Sequence, residues 1–411
     1  MTLARALGGG RGIAAVDDAR RVLLARALRG FADGSAAILL PVHLSALGFE
    51  AFAVGAITAA TLLGSSLLTL GLGLVAHRMS RRRGLVVASL LMAGTGAGFA
   101  LVEGFWPLLL VALFGTLNPA GGDAGPFLPF EHTVLAQTTN GGARTAMFAR
   151  YSFLGTMAAA LGALSTGAVD WLAPLFGQGA VVQALFLLYG ALGLTNLLLY
   201  RDLSPAAELP AGEPPPAPLG PSRRRVYGLA ALFSLDAFGG GFVVQSLLAL
   251  WLFERFGMEV ATAGMVFFAT QTCGALSLFV AVPIARRIGL VNTMVFTHLP
   301  SNLFLIAAAF APGAWSAVAL LMLRSLLSQM DVPARSAYVM AIVEPAERPA
   351  AASVTNVPRG LASSVSPLIA GWMLTLSAFG WPLVVAGALK LIYDLALLRG
   401  FARVRPPEEG G

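Results

Sequence analysis

Long uncharged stretches separated by short arginine-rich clusters set the pattern of this chain. Apolar runs without a fixed charge cover Ala51–Ala76, Gly84–Val102, Gly104–Gly122, Tyr151–Val169, Trp171–Tyr200 and Val260–Ala285. A helix that spans a bilayer needs about 20 mostly apolar residues, so each run is long enough for one crossing. Two runs are long enough for two crossings. Ile288–Leu323 has to fold back at Ala311-Pro-Gly313, and Gly360–Leu389 near Gly380-Trp-Pro382. Segments with isolated charges complete a set of twelve expected helices, near 22–47, 51–76, 85–103, 106–132, 145–169, 178–200, 226–253, 260–285, 289–310, 314–342, 351–377 and 381–398.

The basic residues alternate from loop to loop. Arginines fill the N-terminal segment (Arg5, Arg11, Arg20, Arg21), the connection after the second helix (Arg78, Arg81, Arg82, Arg83), then Arg144, Arg201, Arg223–Arg225, Arg286, Arg287 and Arg348, and finally Arg399, Arg403 and Arg405. The intervening loops hold only Arg255. Short arginine-rich loops stay on the cytoplasmic side, so both termini are expected inside an inner or plasma membrane. All six tryptophans then fall towards the outer interface, which favours twelve spans over eleven. The first helix has no small-residue cleavage site before a short apolar core and reads as retained rather than as a removed signal peptide.

Composition narrows the class of molecule. The 411 residues are 57% hydrophobic and only 11% charged, with a mean hydropathy of +0.78. Soluble domains carry about 25% charged residues, so a soluble enzyme, a disordered regulator and a nucleic-acid binder are all disfavoured. The net charge of +7 is accounted for by the orienting loops, and no basic stripe interleaved with aromatics is present. One cysteine, Cys273, rules out an internal disulfide, and His43, His77, His132 and His298 lack metal-ligand spacing. No cofactor or metal is expected. Gly71-Leu-Gly73-Leu-Val-Ala76 superficially resembles a dinucleotide fingerprint, but it lies inside an apolar span with no strand before it.

The chain is organised in two halves. Residues 203–222 are rich in proline and apolar only in patches, the composition of an extended linker. The expected division is a cytoplasmic tail at 1–21, six helices in 22–200, a linker at 201–225, six helices in 226–400, and a tail at 401–411. A weak internal repeat crosses the linker. Asp123 followed by Arg144 matches Asp331 followed by Arg348, whereas Asp33 and Asp236 match less well, since an ungapped register pairing Gly48 with Gly257 puts Asp236 opposite Ala27 and not Asp33. Repeated halves of this kind are the plan of many secondary transporters.

The segment Gly73-Leu-Val-Ala-His77-Arg78-Met-Ser80-Arg81-Arg82-Arg83 resembles the loop motif G-x-x-x-D-R-x-G-R-R-[RK] of the major facilitator superfamily. It departs from that motif at His77, where the family has aspartate, and at Ser80, where it has glycine. The proline-containing antiporter motif of the fifth helix is absent, since Gly155-Thr-Met-Ala-Ala-Ala-Leu-Gly162 has the glycines alone. The resemblance implies an all-α integral membrane fold of twelve helices in two pseudo-symmetric bundles, working as a single chain. It also implies a central cavity lined by helices 1, 4, 7 and 10 and exposed alternately to each side.

Charges inside the spans then become the candidate chemistry, because an aspartate near the bilayer centre needs a partner or a function. Asp33, Asp123, Asp236 and Asp331 lie 16 to 18 residues from the outer ends of those four helices, which at 1.5 Å per residue puts all four about 25 Å below the outer boundary. Helices 4 and 10 are also interrupted beside their acids, at Asn118-Pro-Ala-Gly-Gly-Asp123-Ala-Gly-Pro126 and Ser328-Gln-Met-Asp331-Val-Pro333. Interrupted helices at matching places in two halves mark a substrate site, which favours Asp123, Asp331 and Asn118. The opposing expectation is that Arg29, Arg150, Arg324 and Arg359 lock these acids in ion pairs. Of these, Arg29 and Arg150 are expected to snorkel to the cytoplasm, leaving Arg324 and Arg359 in the cavity. Glu131 is placed to latch Arg78 or Arg81 of the loop. Lys390 and Asp394 are expected to pair within one turn of helix 12.

These readings describe a secondary active transporter rather than an enzyme, with no phosphate-binding loop for ATP. Its cargo is a small organic solute, and the apparent surplus of carboxylates leans towards proton-coupled efflux of a cationic or amphipathic compound. Uptake or exchange of an organic acid seated on Arg324 and Arg359 is the alternative, and a membrane sensor that binds without flux is the alternative of another class.

Overall fold

The computed structural model describes residues 10–75, 80–120, 125–138, 141–208, 219–344, 347–402 and 404. Among them all regular structure is helical. In chain order the helices are α1 (Gly10–Ala46), α2 (Ala51–Val75), α3 (Arg81–Leu101), α4 (Phe105–Phe114), α5 (Leu128–Thr138), α6 (Gly141–Ser165), α7 (Ala168–Phe176) and α8 (Gln178–Arg201). After the linker come α9 (Arg223–Gly241), α10 (Gln245–Phe256), α11 (Val260–Ile288), α12 (Leu290–Ala309), α13 (Ala314–Ser328), α14 (Asp331–Ala341), α15 (Arg348–Leu376) and α16 (Trp381–Phe401).

Nine stretches of described residues are long and apolar enough to cross a membrane. When α4/α5, α6/α7, α9/α10 and α13/α14 are each taken as one interrupted crossing, the order is consistent with twelve. Breaks occur where the sequence weakens the helix. α4 ends at Phe114 and α5 begins at Leu128, with Asn118-Pro-Ala120 outside helical geometry between them, and α13 gives way to α14 at Gln329-Met330. Proline and glycine remove donors or add backbone freedom there. The break at Phe242-Val243-Val244, between α9 and α10, carries no proline, and its sequence signal is the preceding Gly239-Gly-Gly241. Both α1 and α10 end before a glycine of positive φ, Gly48 at 83° and Gly257 at 61°, the conformation that favours glycine after a helix C-terminus.

α1 differs from its expected start. It begins at Gly10, not near 22, and its 37 residues reach about 55 Å, well beyond an apolar core of about 30 Å. The extra turns are fastened to the first residues of the linker. Buried Asp18 accepts from the backbone N–H of Ser204 at 3.0 Å and from its hydroxyl, and Arg21 donates to the carbonyl of Asp202 at 2.7 Å.

Helix contacts divide the chain into two compact units, Met1–Leu47 with Ala60–Glu213 and Gly48–Ala59 with Pro214–Gly411. In the first, α1 runs against α6 and α8, and α3 against α8. α1 and α6 approach with almost no side chain between them. A Cβ added at Gly34 would lie 2.0 Å from the backbone oxygen of Ala159, and one at Gly162 would lie 2.0 Å from that of Phe31. In the second unit α9 runs against α15 and α16, and α12 against α13 and α16. Its core gathers Val226, Leu229 and Phe233 of α9, Met294 of α12, Tyr338 of α14, and Tyr393 and Leu397 of α16. Large apolar side chains remain exposed on the outside of both units, including Trp106, Trp171 and Trp315, as a surface solvated by lipid requires. Trp251 is the exception among the tryptophans and is fully buried.

Candidate functional site

The second unit encloses a polar cavity of about 170 Å³ lined by Asp236, His298, Arg324, Ser328, Gln329, Asp331, Val332, Arg335 and Lys390. Its position follows from the helix breaks. Ser328 ends α13 and Asp331 opens α14, so the interruption turns both helix ends, with their side chains, into one space. Asp236 arrives from α9, His298 from α12 and Lys390 from α16. An adjoining depression of about 100 Å³ shares Arg335 and Val332 and adds Phe233, Thr355, Asn356 and Arg359.

The acids here are heavily partnered. Asp236 receives Lys390 Nζ at 2.6 Å and Arg335 at 3.2 Å, and His298 Nε2 lies 3.8 Å away. Asp331 pairs with the same Arg335 at 3.3 Å, one helical turn on. Asp394 is fully buried behind the cavity and is bonded to His298 Nδ1 at 2.9 Å and Asn302 Nδ2 at 2.9 Å. The expected partners of Asp236 and Asp331 are therefore corrected. Arg335, Lys390 and His298 hold them, while Arg324 makes no ion pair or hydrogen bond among the described residues. Arg359 reaches only Asn356, its own neighbour on α15, at 3.5 Å. The Nε atoms of both arginines are buried without a partner. The expected pairing of Lys390 with Asp394 is corrected too, since the two side chains serve Asp236 and His298 respectively. Arg348, which follows Asp331 in the sequence repeat, bonds to the carbonyl of Met340.

The first unit carries a second buried polar network. Arg29 of α1 forms a two-point bridge to Glu131 of α5, at 2.6 and 3.0 Å, and Glu131 also accepts from the phenols of Tyr151 at 2.5 Å and Tyr200 at 2.6 Å. Arg29 is not a snorkelling residue, because this bridge keeps it buried. Among the described residues Glu131 does not reach the loop either. Arg81 is engaged by Gln137 and by the carbonyl of Ala207, and Arg78, like His77 and Asp123, lies outside the described residues. Arg150, by contrast, is exposed. Asp33 is buried and is bonded by the Tyr189 hydroxyl at 3.1 Å and by the backbone N–H of Asn118. Asn118 in turn accepts from the N–H of Ala120 through its side-chain oxygen, a local turn closure.

Gly73 lies within α2, and the far end of its motif is tied to the linker. The Glu208 carboxylate accepts from the Ser80 hydroxyl at 2.6 Å and from the backbone N–H groups of Arg81 and Arg82 at 2.8 and 3.2 Å. It thereby satisfies unpaired donors in the first turn of α3. Burial raises the carboxyl's proton affinity, but these donors, led by Ser80, outweigh it and hold Glu208 below the usual glutamate range.

The family model described as Major Facilitator Superfamily matches residues 22–326 and, in a second overlapping match, 229–411. This chain belongs to the Major Facilitator Superfamily. Superfamily membership and the all-helical architecture make it a multi-pass membrane protein and a transporter of small solutes rather than an enzyme. An uncharacterized membrane protein of Saccharomyces cerevisiae, YJR124C, is 26% identical over 395 residues, covering 87% of this chain and 88% of that protein. Among solved structures, the nucleoside transporter NupG superposes with a TM-score of 0.71 at 16% identity, covering 93% of this chain and 98% of the other. A bacterial homolog of the human lysosomal transporter Spinster, inward-facing and unoccupied, gives 0.71 at 16% identity over 95% and 98%. The human organic anion transporter MFSD10 gives 0.62 at 18% identity over 93% and 99%. These likenesses establish the fold.

Sequence reading missed Arg335 and the tyrosines of the two networks and misassigned the partners of Lys390, Asp394 and Glu131. Arg335 had a signal, since it stands four positions after Asp331, but Pro333 between them argued against a shared helix face. Lys390, Asp394 and His298 carried a weaker signal, three charged or polar residues in otherwise apolar helices. Tyr151, Tyr189 and Tyr200 carried none, as a tyrosine in an apolar span reads equally as core.

Proposed function

We propose that this superfamily member carries small organic anions across the inner or plasma membrane by alternating access, as uptake or exchange, and works as a single chain with both termini cytoplasmic. One observation supports the cargo class. Each acid that lines the second-unit cavity already has a cationic partner within 4 Å, whereas among the described residues Arg324 and Arg359 make no ion pair. The carboxylate surplus expected from the sequence is reversed once Arg335 and Lys390 are counted. A half-buried guanidinium without a counter-ion is costly in this setting, and a carboxylate or phosphate bound in two-point fashion relieves that cost. On this reading Arg324 and Arg359 bind substrate, Asp236 and Asp331 hold Arg335 and Lys390 in place, and Asn118 and Asp123 belong to the corresponding break in the first half. The arginine-poor alternate loops support the topology, with bundles at 22–200 and 226–400 joined by the linker at 201–225. Gly73, His77, Arg78, Arg81 and Arg82 form the cytoplasmic gate segment.

A second reading rests on Asp33, which is buried with neutral donors and no ion pair among the described residues. A carboxylate of that kind suits exchange of a proton for a cationic or amphipathic compound.

Binding separates the two. Titrating the purified protein with lactate, succinate, benzoate and tetraphenylphosphonium should show saturable binding of at least one anion, weakened about 10-fold or more in Arg324→Gln, the loss of one charge-assisted contact. Binding of the cation alone, abolished by Asp33→Asn and untouched by Arg324→Gln, would establish the second reading. Anion binding without any flux in liposomes would mark a sensor.

A further inference from the structure

Arg324 and Arg359 stand on different helices and in different spaces. Arg324 lines the polar cavity from α13 and Arg359 lines the adjoining depression from α15, while Arg335 and Val332 border both. Each guanidinium has a neutral amide in its own space, Gln329 with Arg324 and Asn356 with Arg359. Asn356 accepts from Arg359 through its oxygen at 3.5 Å, which leaves its amide nitrogen to donate. A guanidinium with an amide N–H beside it is a donor set for one carboxylate. The second unit thus holds two half-sites of the same composition, side by side.

No other group neutralises them. Asp236 and Asp331 are matched by Lys390 and Arg335 at 2.6 to 3.3 Å, two acids against two cations. Asp394 is held by His298 and Asn302, each at 2.9 Å, and forms no ion pair with either arginine. Among the described residues both guanidiniums therefore lack a counter-ion, and the Nε of each is buried without a partner. A monoanion relieves one of them and leaves the other uncompensated inside the membrane. An anion with a carboxylate at each end relieves both. The two spaces measure about 170 and 100 Å³, each well below the about 300–1,000 Å³ of drug-sized ligand sites, so the body that joins the two charges is short.

We infer that the cargo is a short dicarboxylate, one end taken by Arg324 and the other by Arg359. The inference rests on the anion reading of the site and narrows it. Arg324 and Arg359 then set specificity together. Once one end is seated the second contact forms intramolecularly, so a diacid gains over a monoacid about what one charge-assisted contact supplies, 10-fold or more.

The test uses the purified full-length protein in detergent at about pH 8, where every free carboxyl of the probes is ionised. Isothermal titration calorimetry compares malonate, succinate and glutarate with their monomethyl esters, which keep the carbon chain and remove one charge. At least one diacid should bind about 10-fold or more tightly than its own ester. Arg324→Gln and Arg359→Gln should each bring that diacid down to about the affinity of the ester, while the ester, which needs one arginine, still binds. Retained ester binding shows that the variants fold, and the wild-type comparison carries the test should either one not. Esters that bind as tightly as their diacids, or a diacid preference that survives either substitution, would overturn the inference and spare the anion reading. Failure of the wild type to bind any diacid or ester would refute both.

Discussion

Replacing Arg29 with methionine breaks an almost completely buried ion pair. Glu131 has no exposed side-chain surface and Arg29 very little, so the substitution leaves a carboxylate with two phenol hydrogen bonds and no counter-charge. Breaking one partner of such a pair costs about 3–5 kcal/mol. Neutralising the orphan should recover most of that, because in Arg29→Met/Glu131→Gln the amide oxygen accepts from one of the two phenols, Tyr151 or Tyr200, and the amide nitrogen donates to the oxygen of the other, each bond being worth about 1 kcal/mol. Glu131→Gln alone strands the guanidinium instead and should cost about as much as Arg29→Met. The two single effects therefore should not add, and a double-variant cycle should give a coupling of at least about 2 kcal/mol. Equilibrium denaturation in mixed micelles, followed by tryptophan fluorescence, measures all four proteins. Additive losses, or a double variant less stable than either single one, would refute the claim that the pair and its tyrosines act as one neutralised unit. A Glu131 that instead served the loop would make Arg29→Met nearly silent.

Other substitutions test separate parts of the account. Glu208→Ala should destabilise by about 1 kcal/mol by uncapping α3. Because the carboxyl is held below its usual range, that contribution is present above the ordinary glutamate range and is lost as pH falls through the lowered value, so wild type and variant should converge in stability on acidification. Gly34→Ala and Gly162→Ala each force a Cβ against a backbone oxygen across α1 and α6, and each should cost about 1–3 kcal/mol, read as lower monodisperse yield by size-exclusion chromatography, whereas Gly71→Ala, which meets nothing within 4 Å, should be neutral. Lys390→Met leaves Asp236 with Arg335 and His298 only, and should lower anion affinity less than Arg324→Gln does, in the same titration.

The fold was legible because hydrophobic run length, arginine alternation and a linker rich in proline each constrain one level of a membrane protein independently. The breaks at Asn118-Pro and Asp331-Val-Pro333 were legible for a local reason, proline chemistry, and they do place Asp331 beside the cavity. Partner choice was not legible. Whether Asp331 meets Arg335, Arg324 or Arg359 depends on helix rotation and on which helix end the break exposes, and a one-dimensional depth count holds neither. Lys390 shows the same limit, since a pair of opposite charges four residues apart on one helix is locally sufficient until α9 and α12 bring better partners to each. The N-terminal extension of α1 was hidden by its charges, which are tolerated there because Asp18 and Arg21 hold the linker beyond the apolar core.

The central claim is that the cargo is an anion held by Arg324 and Arg359, which make no ion pair among the described residues, and flux by charge class tests it most directly. Liposomes containing the purified protein would be loaded with each unlabelled probe and challenged with its labelled counterpart, using lactate, succinate and benzoate against tetraphenylphosphonium. The account predicts saturable exchange of at least one anion, reduced about 10-fold or more in Arg324→Gln, and none of the cation. Saturable exchange of tetraphenylphosphonium alone, undiminished in Arg324→Gln and Arg359→Gln, would contradict it.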